Sequence, residues 1–534
     1  MRTTTSPSFL LFFAAALSAA DHHVDVCVYG GTGAGVIAAV AAANEGRSVL
    51  LIEPSRNLGG MTGGGISTID YGTRRTIGGL TDAFFTKHHP PGSKPDQAGM
   101  EAALWELTRH HHITVIAEHR LAHVAKKSTR ITGVTVEYAP PERYGTPVAQ
   151  AVSGPGQTIT ARVFIDAGYE GDLMAMAGVP YATGREARET YGESVAGRQQ
   201  PVKVYPVDPF RIAGDSTSGL LPGVVAEDHL ALGAADDAVP ACNFRLQLSK
   251  DPADRAPFPE FGAYDPAQYE LLSRWFAVHR DAPKKLPFAI YNGSEFNDNR
   301  DELMSLALVG GSKAYLDGDW ATRARVWREH ERYTVGLFRF LATDPRIPES
   351  LRTEAAQWGL RRSAFPKTDG WPHQLYLRQG RRLLGAQVIT QNDLEGRVSV
   401  VDVIGLGSYK VDIYHARRYA TTGGVAIEGK VFTTLGKPGE RKAQDNNGSQ
   451  PYAIPYRALT PCVGSIDNLL VPVCLSASNV AMSSIRMEPV WMLIGEAAGR
   501  AASQTVAQDC AVQALDVPRL QQRLRESGQV LELP

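Results

Sequence analysis

At 534 residues the chain is long enough to bury a large core and to fold as two or more domains. Its 55 basic and 56 acidic residues nearly cancel, and 14 histidines do not change that, so no global field points to nucleic acid or a membrane surface as partner. The five cysteines, Cys27, Cys242, Cys462, Cys474 and Cys510, are odd in number, widely spread and free of any CxxC pair, which excludes a disulfide framework and a zinc or iron–sulfur signature; no metal is expected.

The N-terminus reads as a secretory signal over residues 1–20. Arg2 supplies a positive start, FLLFFAAAL (Phe9 to Leu17) an apolar run, and Ser18 and Ala20 the small residues a signal peptidase prefers. A single arginine gives no support to a twin-arginine route, so a Sec-type export to the periplasm or the extracellular space is expected. The alternative is a disordered or buried N-terminus. The run is too short to cross a bilayer, and no other segment is apolar enough, so no membrane span is expected.

Val24 to Tyr29 is a short apolar, β-rich run, as a buried parallel strand should be. Gly30, Gly31, Thr32, Gly33, Ala34 and Gly35 form a glycine turn, after which Val36, Ile37, Val40 and Ala41 recur at helical spacing. A second apolar run, Ser48 to Ile52, ends at Glu53. Strand, glycine turn, helix, strand and acid within about thirty residues make a dinucleotide-binding unit. Gly30 permits the tight turn, Gly35 lets helix and strand approach, the helix start offers free N–H groups to a pyrophosphate, and Glu53 is placed to accept from a ribose diol. Thr32 departs from the pattern, because a glycine is expected there; Gly31 and Gly33 on either side still let the backbone bend.

The glycine-rich stretch NLGGMTGGGISTIDYG, Asn57 to Gly72, follows directly and includes Gly59, Gly60 and Met61. Its glycines permit backbone contact with something flat and large; a flexible surface loop is the bland alternative. No second dinucleotide motif follows: GLGSYK at Gly405 to Lys410 lacks the helix and the acid. The turn by itself does not decide between NAD and FAD, and a single dinucleotide site is the economical reading.

The segments GGTGAG…VLLIEPSRNLGGMTGGG, FIDAGYEGDLMAMAGVPYATGRE (Phe164 to Glu186), WPHQLYLRQGRRLLG, GLGSYKVDIYHARRY, IPYRAL and NLLVPVCLSASNVAMSSIRMEPVWMLIGEAAGRAA (Asn468 to Ala502) resemble, in this order, the FAD-dependent oxidoreductases distantly related to fumarate reductase flavoproteins and to the flavin subunit of heterodisulfide reductase, relatives sometimes labelled xanthan-lyase-like. The resemblance implies FAD as cofactor and a second cofactor strand that places Asp166, Ala167 and Gly168, the last where the family usually has threonine. It also implies that the helix introduced by Pro489 points its positive N-terminus at the flavin's pyrimidine edge, with Ser484 and Arg486 as contacts; a capping serine and a surface arginine are the alternatives. That helix is predicted to reach roughly Ala507, after a buried strand over Asn468 to Val473, and Gly495, Ala498, Gly499 and Ala502 give it a face for close packing.

The expected fold is α/β: a Rossmann-type FAD-binding domain, discontinuous in sequence, with an inserted α+β substrate-binding domain. The divisions are residues 21–185 and 461–515 for the cofactor domain, 186–460 for the substrate domain, and 516–534 for a C-terminal helix and tail. Polar GKPGERKAQDNNGSQ, Gly436 to Gln450, reads as a loop. The pocket is expected where the two domains meet.

A flavin oxidoreductase must present a C–H bond and manage one proton. In the family-like segments, His373 and Arg378, Tyr409, Asp412 and His415, and Tyr456 and Arg457 are the titratable candidates. His373 and His415 lead as base, and Arg378, Tyr456 and Arg457 as binding groups; a hydrogen-bonded structural histidine is the alternative for each ring. Consecutive His110 to His112 point in different directions on a helix and cannot chelate one ion as an i, i+4 pair can. The expected function is hydride removal from a small polar substrate (sugar, sugar derivative or hydroxy acid), with electrons passing to oxygen, a quinone or a redox protein. Three readings stand beside it: a redox-neutral lyase or isomerase, a C=C reductase drawing on Arg378, Arg381, Arg382 and Arg457, and a non-catalytic binding protein.

Overall fold

The computed structural model describes residues 21–533 apart from 67, 91, 94–95, 153, 155, 280–284, 292, 298–302 and 436–447. The signal segment and most of the loop expected over Gly436 to Gln450 lie outside the described residues.

A seven-stranded sheet organises the cofactor side. Its strands are β1 (Asp21–Tyr29), β2 (Val49–Glu53), β3 (Thr114–Ala117), β4 (His119–Lys127), β5 (Arg130–Tyr138) and β6 (Gln157–Asp166), in spatial order β3-β2-β1-β6-β5-β4, with Leu469–Leu470 added beside β6. The β1, β2, β3 and β6 pairings are parallel, whereas β4, β5 and β6 pair antiparallel. β1 is longer than expected because His22 and His23 continue its pairing with β6 on a half-exposed edge. The final strand is shorter than expected: only Leu469 and Leu470 find partners, at Phe164 and Ile165, where β5 has left the flank of β6.

The register puts function at one end. Tyr29 stands opposite Ile52 and Asp166, so β1, β2 and β6 finish side by side. The helix α1 (Gly33–Asn44) leaves that edge, and crevices at the carboxyl ends of such strands are where parallel α/β sheets take ligands.

α1 packs against the helix Glu488–Gln508, so the chain's beginning and end share one core. Backbones touch directly: a Cβ on Gly495 would overlap the Ala34 carbonyl, and one on Gly499 the Ala38 carbonyl. The intervening chain forms small sheets and the 24-residue helix Trp320–Thr343, whose Trp327, Tyr333, Leu337, Phe338 and Leu341 are buried. The helix Val517–Glu526 docks through Leu520 and Leu524. Among the described residues no helix is long and apolar enough to cross a membrane.

Candidate active site: a dinucleotide cleft and a charged cavity

The turn after β1 explains the departure at Thr32. Its hydroxyl accepts a hydrogen bond from the Gly35 N–H (3.1 Å) as the cap of α1, and donates to the Ala167 carbonyl (2.8 Å). A glycine would supply neither bond, so the threonine ties α1 to the segment after β6. Gly35 is required on different grounds, because a Cβ there would collide with the Gly30 carbonyl.

Glu53 closes the cleft at the end of β2. Its carboxylate accepts from the Gly31 N–H (2.6 Å) and the Ser55 N–H (2.7 Å), and burial raises its pKa despite these bonds. Asp166 at the end of β6 accepts from the Met174 and Gly168 N–H groups, and burial pushes it up to about 7. Its carboxylate orders the backbone on which the cofactor side of the cleft rests.

Around these ends opens a cleft walled by Gly30, Thr32, Glu53, Gly60 and Gly168 and by Tyr315, Trp320 and Trp327 from the middle of the chain. Glycine is needed at its floor: a Cβ on Gly60 would overlap the Tyr169 ring. The helix start, the buried acid at the end of β2 and the narrow glycine floor are the donor set and shape that a pyrophosphate and an adenosine ribose require, so these residues fit a flavin dinucleotide.

The closing helix is bound to the same floor. Its first residue, Glu488, accepts from the Tyr169 hydroxyl (2.6 Å) and from Thr62 (3.0 Å), and Tyr169 in turn accepts from the Met61 N–H (2.9 Å). Burial pushes Glu488 up to about 7, against the pull of those two bonds. Glycine loop, second cofactor strand and closing helix therefore meet at one clasp.

A second cavity, of about 250 Å³, lies beside the start of this helix, with Met487 and Arg486 in its wall. Four cations, Arg245, Arg378, Lys430 and Arg486, face two carboxylates, Asp70 and Asp412. Arg486 is buried rather than on the surface; it donates to the Tyr376 hydroxyl (2.6 Å) and to Asp412 (2.9 Å). Arg245 pairs with buried Glu295 at 2.5 Å, and Thr68 donates to the same carboxylate. Tyr376 is pinned by its N–H to the Asn243 carbonyl (3.0 Å). Asp70 comes from the glycine-rich loop; burial pushes its carboxyl up to about 6, Asp412 and Glu295 add to that, and Arg245 and Arg486 oppose it.

Of the residues singled out in the sequence, Arg378, Tyr409, Asp412 and Arg486 are brought together here. His415 is not in the wall; its ring packs edge-on against Tyr414, which is. His373 lines the dinucleotide cleft instead, edge-on to Phe365, and burial followed by Lys367 lowers it to about 3, which makes it a poor base. Three expectations are corrected. Tyr456 spends its hydroxyl on the Val512 carbonyl (2.7 Å), Arg457 pairs with Asp402 on a half-exposed surface, and Ser484 is consumed by the Tyr409 carbonyl and the Tyr452 hydroxyl. Arg381 and Arg382 are likewise committed, to Asp172 and Glu186. Sequence reasoning missed Asp70, Arg245, Tyr376, Tyr414 and Lys430. The charge set in the apolar run around Arg245 was the available signal.

The family model described as FAD dependent oxidoreductase matches residues 25–524. No curated protein matches the chain. Solved structures similar to part of it include a geranylgeranyl bacteriochlorophyll reductase-like protein from Thermoplasma acidophilum (18% identity over 30% of this chain and 43% of that one, TM-score 0.21). Others are Thermovibrio ammonificans THI4 (17%, 31% and 66%, 0.23) and the 3-ketosteroid-delta4-(5alpha)-dehydrogenase of Rhodococcus jostii RHA1 (14%, 30% and 50%, 0.19). In each case the match spans less than two thirds of the other chain.

Proposed function

The chain belongs to the FAD-dependent oxidoreductase family, and from that premise we propose that it removes a hydride from a small polar substrate, a sugar, sugar derivative or hydroxy acid, held in the charged cavity beside Met487. FAD, when bound, supplies the two-electron acceptor for that hydride. The Gly30–Gly35 turn and the start of α1 would hold its pyrophosphate, and Glu53 its ribose.

The chain's own chemistry is placement and one proton. Oxidising an alcohol breaks a C–H and an O–H bond; the hydride leaves from carbon, and Asp70 takes the proton from oxygen. An acid that titrates near 6 is mostly ionised at neutral pH and still basic enough to accept. Arg486 and the uncapped start of the helix Glu488–Gln508 put positive charge at one wall, where negative charge is stabilised. The observation that carries this reading is the meeting of Asp70, Arg378 and Arg486 in one cavity at that helix start.

The arginine-rich wall also suits reduction of a C=C bond in an unsaturated acid, a second use of the same cavity. Electrons from substrate oxidation would pass to oxygen, a quinone or a redox protein, and the leader over residues 1–20 would deliver the enzyme outside the cytoplasm. The test is anaerobic addition of candidate substrates to the yellow holoprotein. Loss of the oxidised-flavin bands is expected; product formation with the bands unchanged would replace the reading with a redox-neutral lyase or isomerase.

A further inference from the structure

Arg378 is buried, with 2% of its surface exposed, and its guanidinium is gripped between two rings, 3.7 Å from the Tyr414 centroid and 4.7 Å from that of Tyr376. One nitrogen donates to the Ala241 carbonyl. The other arginines of the cavity have carboxylate partners: Glu295 for Arg245 and Asp412 for Arg486. Arg378 forms no ion pair with any described residue.

A buried guanidinium has five donors and a full charge, and leaving it without an anion is costly. Two aromatic faces offset part of that cost and fix the plane of the group without using its N–H donors. What the site lacks is an anion on the cavity side of Arg378.

We propose that the substrate is a carboxylate, a small hydroxy acid or a sugar acid, whose carboxylate pairs with Arg378 while its hydroxyl faces Asp70 across the same cavity. This rests on the reading of the cavity as the substrate site. Arg245 and Arg486 are already neutralised by Glu295 and Asp412, so Arg378 is the guanidinium that draws an anion in, and its fork, held by Tyr376 and Tyr414, favours a planar carboxylate over a hydroxyl. A neutral sugar would leave the guanidinium unpaired and bind weakly for that reason.

The experiment uses FAD-loaded full-length protein, anaerobically, with matched probes that differ by the carboxylate: D-gluconate against glucitol, D-glucuronate against D-glucose, and lactate against 1,2-propanediol. Binding is read as a shift in the thermal unfolding midpoint and as a perturbation of the flavin spectrum, and bleaching is recorded separately. At least one carboxylate should bind where its neutral counterpart does not. Arg378→Met should weaken that binding by roughly thirtyfold or more, and Arg378→Lys should recover only part of it. Equal binding of the neutral members, carboxylate binding indifferent to Arg378→Met, or no carboxylate binding to the wild type would each overturn the proposal. The wild-type comparison decides even if the Met variant does not fold. Carboxylates that bind through Arg378 and bleach nothing would uphold it and sink hydride removal; bleaching by glucitol, glucose or propanediol would do the reverse.

Discussion

Asp70 carries the proton chemistry, and its surroundings give its ionisation a direction. Burial is the main influence on it, and burial opposes the charged form, so the carboxyl titrates near 6 rather than in the ordinary carboxylate range. Below that value the group is protonated and cannot accept. kcat/KM should therefore climb as pH rises through about 6, and in Asp70→Asn this limb should vanish along with roughly a hundredfold or more of the rate. A pH–rate profile of both proteins checks it; an unchanged limb in the variant would move the base elsewhere. The same raised value means that ionising Asp70 costs the folded state stability between the unfolded carboxyl's titration near ~4 and about 6. At this scale the sequence was uneven. Glu53 was legible because its distance from the glycine turn is dictated by one βαβ unit. Asp70 was not, because nothing local distinguishes it from a loop acid; its meaning comes from Arg245, Tyr376 and Asp412, which the fold brings in from far along the chain.

Two helices hold the cofactor side together, and their closest approach is backbone on backbone. α1 presents Ala34 and Ala38 where the helix Glu488–Gln508 presents Gly495 and Gly499, and no methyl group fits at either glycine. The spacing of small residues on the later helix was visible in the sequence, but the partner was not, since helical periodicity names a face and not what it meets. Gly499→Val would force the helices apart and should cost about 3 kcal/mol or more, measured by denaturant unfolding. The same substitution should release flavin, because the pair also carries the Gly30–Gly35 turn and the Glu488 clasp. A Val variant that keeps both stability and colour would show that the contact is looser than described. Thr32 belongs here too: it looked like a defect in a glycine motif and is a helix cap, a role that a motif pattern does not encode.

Across the whole molecule, one carboxylate joins the cofactor sheet to the chain inserted within its sequence. Asp172, just beyond β6, receives Arg323 from the helix Trp320–Thr343 in a two-pronged pair (2.6 and 2.7 Å), and Arg381 at 2.9 Å. Burial raises its pKa, but Arg323 and then Arg381 outweigh it and hold Asp172 below the ordinary value. A depressed carboxyl stabilises the fold above the unfolded group's pKa, near ~4, and that stability is lost as pH falls through the folded value. Asp172→Asn should cost about 3 kcal/mol near neutral pH by leaving buried Arg323 without a carboxylate and Arg381 with Asp317 alone, and should flatten the acid limb of stability against pH. Unfolding titrations across that range decide it. The division of the cofactor region into early and late parts was legible from the order of the motifs, whereas this junction was not, because ion pairs between distant segments leave no period in a sequence.

The joining of the two chain ends in one core has a consequence for how the protein is made. The ribosome produces β1 and α1 first, and Leu469–Leu470 and the helix Glu488–Gln508 near the end. Until those last elements emerge, β6 lacks a neighbour, α1 lacks its partner and Glu488 cannot close on Tyr169 and Thr62. A growing chain thus carries only part of its cofactor cradle, and the long-range closure that completes it is slow to form. The complete cradle is then a property of the finished chain, not the nascent one. If the proposed leader threads the polypeptide outward before it folds, the cofactor must be waiting on the far side.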